Sequence, residues 1–323
     1  MRVVVIGGTG HVGTYLIPRL VRENHEVICI SRGRRQPYQY NDAWQSVQQI
    51  KIDRIAQDEA NRFGAFVRDL NPDVVIDMIC FTVDAARLLV DALRGHVQHF
   101  LHCGSIWVHG HSTQVPTIES QSRTPFGDYG IQKAAIETYL LDEARKSGFP
   151  ASILHPGHIS GPGWIPVNPA GNLNLTVFEK LACGQELALP NIGMETLHHV
   201  HADDVAQAFV NAMSHRSVAV GESFHIVSPA ALTLRGYAEA VAEWFDRQAC
   251  LAFQPWDQWR ADTPEQDAAC TWDHIAHSPS CSIAKAQNLL GYQPRYTSLQ
   301  AVREALDWLV NAGQVKTEKP GKA

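Results

Sequence analysis

Close to its amino terminus the chain runs a β-branched stretch, Val3–Ile6, straight into seven residues of which four are glycine, Gly7-Gly8-Thr9-Gly10-His11-Val12-Gly13. An apolar strand that empties into a segment with so few side chains, and is followed by an amphipathic run, implies strand, tight turn and helix. Each glycine has a mechanical reason to be there: Gly7 makes the turn, Gly10 lets backbone N–H groups approach a pyrophosphate, and Gly13 lets the helix pack closely on the strand. The amino end of that helix then faces the phosphates with its positive dipole end. These glycines, with Thr9, His11 and Val12, form the first set of candidate dinucleotide-binding residues.

The same alternation continues. Val27–Ile30, Ile50–Ile52, Val74–Ile79, His99–Cys103 and Ser152–Leu154 read as strands, while Val12–Arg22, Arg62–Leu70, Val83–Leu93 and Tyr129–Lys146 carry apolar residues at helical spacing. Pro18 inside the first helix predicts a kink. Strands alternating with helices mean an α/β fold, a doubly wound parallel sheet of the Rossmann type covered on both faces. After Pro156 the texture changes to loops, His155-Pro-Gly-His-Ile-Ser-Gly-Pro-Gly163 and Pro166–Gly171, which marks a domain crossing. A helix over Ala202–Ser214 and a strand over Ser223–Val227 return to the first unit, and helices over Leu234–Asp246 and Ser298–Asn311 follow. The expected organisation is a dinucleotide-binding domain of 1–157 plus about 197–228, and a smaller α/β substrate domain of about 158–196 plus 229–315. Residues 316–323, polar with Pro and Gly, read as a disordered tail.

Composition narrows the partners. A net charge of −6 in 323 residues argues against nucleic acid or an acidic membrane, since phosphate binding needs a positive field. Seven cysteines without a CxxC pair read as reduced thiols in a cytosol. No apolar run approaches the ~20 residues of a membrane span, and Val3–Ile6 enters the glycine turn with no room for a signal peptide. The expectation is a cytoplasmic protein acting on a small molecule.

About 20 residues past the glycines, where an acidic side chain would hold a ribose 2′-hydroxyl, stands Ser31-Arg32-Gly33-Arg34-Arg35. An arginine here can fork onto a 2′-phosphate and stack on adenine, so Ser31, Arg32 and Arg34 predict NADP(H) over NAD(H). The alternative is a solvated basic loop. Asp53 is placed to accept from the adenine amino group, or else is an exposed loop carboxylate.

Tyr129 and Lys133 lie four apart on one helical face, after the strand whose end carries Ser105. With eight tyrosines in the chain the spacing alone decides little, but in an open parallel sheet ligands sit beyond the carboxyl ends of the strands, where these three converge. Making a tyrosine a base near neutrality means lowering its pKa by roughly 3 units, and an ammonium about 4 Å away supplies an interaction of that size. Ser105 would hydrogen-bond the substrate oxygen as charge develops on it.

Together these motifs resemble the extended short-chain dehydrogenase/reductase superfamily, of the epimerase/dehydratase type, over nearly the whole chain. Phe100-Leu-His-Cys-Gly-Ser-Ile-Trp-Val-His-Gly110 is similar to that family's strand ending in serine and Val-Tyr-Gly. His155–Pro162 resembles its Arg-Pro-x-Asn-Val-Tyr-Gly-Pro loop, and Val200-His-Ala-Asp-Asp-Val-Ala206 its Ile-His-Val-Asp-Asp-Val-Ala segment. The resemblance implies Ser105, Tyr129 and Lys133 as catalytic residues, Lys133 and His155 also at the cofactor, and a homodimer through the helices near 83–94 and 129–147.

The departures bear on substrate. Where nucleotide-sugar enzymes of this family carry an asparagine and two arginines for the diphosphate or uridine, this chain has His158, Leu197 and the neighbourhood of Ala276-His277. Two missing arginines leave about 2–5 kcal/mol of charge-paired binding unmade, with Arg235 and Arg295 as the candidates to replace them. Histidines concentrate around the cleft (102, 109, 111, 155, 158, 198, 199, 201) and read as hydrogen bonding and packing rather than a metal site. His158 and Trp164 are the expected substrate contacts beside Ser105. The reading is hydride transfer between NADP(H) and a secondary alcohol or carbonyl of a small, sugar-like molecule. The rivals are an epimerase or dehydratase with retained NAD(P), and a non-catalytic nucleotide-sensing or RNA-binding relative.

Overall fold

The computed structural model describes residues 1–317, so the last six residues of the expected tail lie outside the described residues. The strands are β1 Arg2–Ile6, β2 Glu26–Ser31, β3 Gln48–Lys51, β4 Val74–Asp77, β5 His99–Cys103, β6 Ala151–Pro156, β7 His158–Ser160, β8 Glu186–Pro190, β9 Thr196–Leu197, β10 His199–His201, β11 Ser223–Ile226, β12 Leu232–Thr233 and β13 Cys250–Gln254. The helices are α1 His11–Arg22, α2 Arg54–Glu59, α3 Phe63–Asp69, α4 Val83–Leu93, α5 Gly127–Ser147, α6 Thr176–Ala182, α7 Ala202–Ser214, α8 Arg216–Ala219, α9 Leu234–Glu243, α10 Trp256–Ala261, α11 Glu265–His277, α12 Ala284–Leu290 and α13 Ser298–Asn311.

Seven parallel strands form the central sheet in the order β11-β6-β5-β4-β1-β2-β3. Val3, Val4, Val5 and Ile6 are all fully buried, as expected of a strand covered on both faces. One face packs Leu16, Ile17 and Leu20 of α1 against Val205, Phe209 and Met213 of α7. The other packs Phe63 and Val67 of α3, Leu89 and Val90 of α4, and Ile136 and Leu140 of α5. Strand order reverses at β1, with β2 on one side and β4 on the other, so the carboxyl ends of β1 and β4 open a crevice. β11 joins β6 in parallel, which brings the chain back to this sheet after residue 220.

Between those returns a second core forms from Phe178 and Leu181 of α6, Leu187 and Leu189 of β8, Tyr237 and Val241 of α9, Trp259 of α10, Ile275 of α11 and Val302 and Leu306 of α13. The third strand differs from expectation: it runs Gln48–Lys51, not Ile50–Ile52, because it is an edge strand held by its ladder to Ile28–Ser31, and its exposed face carries glutamines instead of an apolar pattern. Pro18 is buried within α1, which continues through it to Arg22.

Gly13 marks a close backbone approach in this frame: a Cβ built there would lie 1.9 Å from the Gly8 carbonyl oxygen. Neither backbone can retreat without parting α1 from β1. Gly13→Ala is expected to cost about 2–3 kcal/mol in chemical denaturation. A loss under about 0.5 kcal/mol would show that the helix can lift off its strand freely.

Candidate active site

The glycine turn lines a cavity of about 700 Å³ with all of Gly7, Thr9, Gly10, His11, Val12 and Gly13. Gly7 takes φ +86°, a left-handed conformation natural to glycine, and its N–H is held by the Ile30 carbonyl at 2.8 Å. Gly10 caps α1 with no side-chain hydrogen bond, and the first turn holds no acidic residue, so amide donors at this helix end lack an intramolecular anion. That end, opening into a crevice of this size, fits a dinucleotide pyrophosphate. Ser31, Arg32, Arg34 and Asp53 line the same cavity. Asp53 also caps α2 by accepting from the Ile55 N–H at 3.1 Å, and Ser31 Oγ accepts from the Gly33 N–H at 3.2 Å.

Beside it lies a cavity of about 190 Å³ lined by Ser105, Ile106, Trp107, Tyr129, Gly157 and His158. Ser105 ends β5 and caps the short turn Ile106–His109, its Oγ accepting from the Trp107 N–H at 3.2 Å. Tyr129 stands in the first turn of α5, and one turn on Lys133 reaches beneath it, 2% exposed, its Nζ 5.8 Å from the Tyr129 ring centre and 4.9 Å from that of Phe81. The three predicted residues are therefore brought together. Lys133 does not lower the tyrosine, however. Its ammonium is engaged by the carbonyls of Cys80 at 2.9 Å and Cys103 at 2.8 Å, and burial pushes the Tyr129 hydroxyl up to about 12, opposed by the Ser105 hydroxyl. Burial lowers Lys133 itself.

Two predicted residues stand elsewhere than expected. His155 is fully buried behind Ser105 and lines neither cavity: its Nδ1 accepts from the Ser105 N–H at 3.0 Å, so Nε2 carries the proton and donates to Glu137 at 3.0 Å. The reason is Gly104, where a Cβ would meet His155 Nδ1 at 2.3 Å, leaving the imidazole room to reach the turn backbone. Trp164 lines the larger cavity, stacked on His11 at 5.2 Å and 11°, with the Arg35 guanidinium 5.7 Å from its ring. Gly161 and Gly163, both at positive φ, turn the loop that way.

Glu137, unassigned from sequence, is gripped by Arg123 through paired bonds of 2.9 and 2.7 Å. Burial opposes its charge, but His155 and Arg123 hold the carboxyl below the usual range. A signal existed: 129, 133 and 137 repeat on one face of α5. His277 falls in the neighbourhood already marked by the departure at Ala276-His277, whereas the roles of Trp107 and His274 had no such signal, because α11 meets the turn after β5 only in three dimensions. His277 stacks on Trp107 at 4.2 Å and 14°, and His274 lies 5.0 Å from His158.

Neither replacement arginine lines either cavity. Arg235 pairs with Glu239 at 2.8 Å, and Arg295 with Asp203 at 3.3 Å; Leu197 is buried in the second core. Among the described residues one group could offer a metal three ligands, Asp77, Cys80 and His102. Asp77 is already bidentate to Arg54 at 2.7 and 2.8 Å, and burial pushes the Cys80 thiol up to about 12, so this donor set is unsuited to a cation.

Residues 3–226, β1 through β11, match the family described as NAD dependent epimerase/dehydratase. The chain belongs to that family. The family is described as NAD dependent, and the matched residues include the glycine crevice. Among relatives, the chain is 23% identical over 332 residues to "Chloroplast stem-loop binding protein of 41 kDa b" of Arabidopsis thaliana, covering 98% of this chain and 81% of that one. It is 25% identical over 324 residues to 2′-dehydrokanamycin reductase of Streptomyces kanamyceticus, covering 98% and 86%. The fold is that of UDP-glucuronic acid 4-epimerase from Bacillus cereus, solved with UDP-glucuronic acid and NAD, at a TM-score of 0.73 and 17% identity over 97% of this chain and 100% of that one. Among the described residues no helix is long and apolar enough to cross a membrane.

The buried imidazoles set a pH limit on the native state. Burial lowers His198 to about 4, His199 to about 3 and His277 to about 4, from an ordinary 6.5. The unfolded chain takes up protons as pH falls through 6.5 while the native one resists until about 4. Stability is therefore complete above pH 6.5 and lost between 6.5 and 4. Several kcal/mol should be gone by pH 5, seen as a falling Tm. A flat Tm from pH 7.5 to 5 would mean these rings are not held neutral.

Proposed function

We propose that the protein transfers a hydride between NADP(H) and a secondary alcohol or carbonyl of a small, polar, sugar-like molecule. The observation that carries this is the meeting of Ser105, Tyr129 and Lys133 at a small cavity adjoining the glycine crevice. When bound, the nicotinamide supplies or accepts the hydride; the chain's own residues handle the substrate oxygen. Ser105 Oγ hydrogen-bonds that oxygen, and Tyr129 Oη delivers its proton. A tyrosine pushed up to about 12 is fully protonated at neutral pH, which suits the reductive direction, where an alkoxide must be quenched as it forms. Lys133, pinned by two carbonyls, keeps its charge beneath the ring and the nicotinamide ribose. Cofactor would be held by Gly7, Thr9, Gly10, His11, Val12 and Gly13 at the pyrophosphate and by Ser31, Arg32, Arg34 and Asp53 at the adenosine end. Three arginines, 32, 34 and 35, line that end, which supports NADP(H) over the NAD of the family.

The sheet with its helices serves as the dinucleotide domain and the second core as the substrate domain in this reading. Leu88 and Ile131, 36% and 48% exposed on α4 and α5, suit the pairing face of a homodimer. A net charge of −6 works against a polyanion, so the binding named for the Arabidopsis relative is not carried over. One observation favours a second outcome, epimerisation on a retained cofactor: Trp164 lies over His11 at the mouth of the glycine turn, where it would slow release. Purified protein that turns over with no added cofactor would select that outcome, and stoichiometric NADPH consumption the reductase.

Tyr129→Phe should lower turnover by at least about 10³-fold, with cofactor affinity near wild type. Retained activity would remove the hydroxyl from the reaction. Arg32→Ala should weaken NADPH binding about 10- to 100-fold while hardly touching NADH, read by nucleotide fluorescence. Equal losses for the two would leave the 2′-phosphate without its reader.

A further inference from the structure

The substrate side of the cleft is built differently from its cofactor side. Arg32, Arg34, Arg35 and Arg54 line the larger cavity, whereas no lysine or arginine is among the six residues lining the cavity at Tyr129. The helix that backs that cavity, α11, carries Glu265, Asp267 and Asp273 and no cationic side chain other than histidine. Its two inward imidazoles are neutral, since burial lowers both His274 and His277. A diphosphate placed here would be a dianion with no cationic side chain among the lining residues to pair with it.

Size points the same way. The cavity of about 190 Å³ falls below the ~300–1,000 Å³ of pockets that hold drug-sized ligands. The helix behind Trp107 and His158 is fixed: Thr271 of α11 accepts from Asn172 Nδ2 at 3.1 Å and donates to the Ala170 carbonyl at 2.8 Å. At the end of the same helix, Ser278 Oγ accepts from the Thr196 N–H at 3.0 Å. Trp107 is clamped between α11 and the site, stacked on His277 with Tyr129 edge-on at 5.8 Å.

The chemistry of His158 completes the argument. It lines the cavity, and neither ring nitrogen has a hydrogen-bond partner. A neutral imidazole offers one donor and one acceptor. Hydroxyl groups satisfy both, while phosphate oxygens ionised at neutral pH only accept and would leave one nitrogen unmet.

We propose that the Tyr129 pocket takes a phosphate-free, polyhydroxylated ring, a free sugar or cyclitol, with His158 reading its hydroxyls and Trp107 forming its apolar wall. This rests on Tyr129 and Ser105 as the reacting pair. The test uses the full chain saturated with NADP. UDP and UDP-glucose are titrated calorimetrically, and a hydride-transfer screen pairs each free ring with its nucleotide ester. The expected result is a Kd for UDP weaker than about 1 mM and turnover confined to the free member of a pair. A tighter Kd, or turnover confined to the esters, overturns the assignment. Ester turnover that Tyr129→Phe abolishes would overturn the ring and leave hydride transfer standing; failure of that reading shows separately, as free-ring turnover that survives Tyr129→Phe.

Discussion

The buried ammonium of Lys133 is the contact on which the site depends. It leaves α5, passes under Tyr129 and donates to carbonyls at the ends of two neighbouring strand segments, Cys80 after β4 and Cys103 at the end of β5. One side chain thus fixes the helix that carries the tyrosine against the strand that leads to Ser105. Among the described residues it forms no salt bridge with a carboxylate; two carbonyl dipoles and the faces of Phe81 and Tyr129 take that place. A cation so solvated is costly to bury and tolerates little movement of any partner. The geometry is rigid because the alternative arrangements leave a charge unmet.

Behind Ser105 a second set of polar groups holds the turn from the other side. His155 receives the Ser105 N–H and passes its own proton toward Glu137, which Arg123 grips. Arg123 in turn approaches His109, whose Nε2 meets that of His225 at 2.8 Å, a pair in which one ring donates and the other accepts. Each ring in this chain has its tautomer set by a neighbour, so none is free to carry a positive charge without expelling a bond. Burial lowers His109 to about 3, and His225 well below its ordinary value. At the far end of this set the His109 and His225 pair is held neutral by burial, so acid should loosen the set from that side.

Much of this was legible in the residues. The glycine turn, the strands β1 to β5, and the helices Val83–Leu93, Ala202–Ser214 and Ser298–Asn311 follow from local periodicity, because each helix buries one apolar face, the first two against the central sheet and the third in the second core. Tyr129 and Lys133 were legible for the same reason, since one turn of helix brings them together wherever the helix goes. What local pattern did not carry is the substrate wall. The periodicity of α11 is blurred by Trp272 and its histidines, and the place of Trp164 depends on two glycines at positive φ directing a loop across to His11. Spacing in the sequence shows an ammonium near the tyrosine but not the carbonyls of Cys80 and Cys103 that hold it, nor the desolvation that opposes charge on both groups.

Charge divides the cleft, and the division accounts for the departures from the family pattern. In the proposed reading the negative charges of a nicotinamide dinucleotide phosphate would fall where arginines and a helix amino terminus face the crevice. A few ångströms on, past Ser105, every ionisable group on the wall is a tyrosine or a histidine that burial keeps neutral. In that reading, arginines at those places would set their field on the same oxygen that Tyr129 would protonate, lowering its proton affinity and the tyrosine's together. The cation that reaches Tyr129 is Lys133, and it is committed below the ring by two carbonyls. The departures at His158 and His277 act together: His158 lines the Tyr129 cavity and His277 stacks on the Trp107 that walls it, while Leu197 lies apart in the second core, so in the proposed reading hydrogen-bond matching at His158, and not ion pairing, would decide what is held against Tyr129.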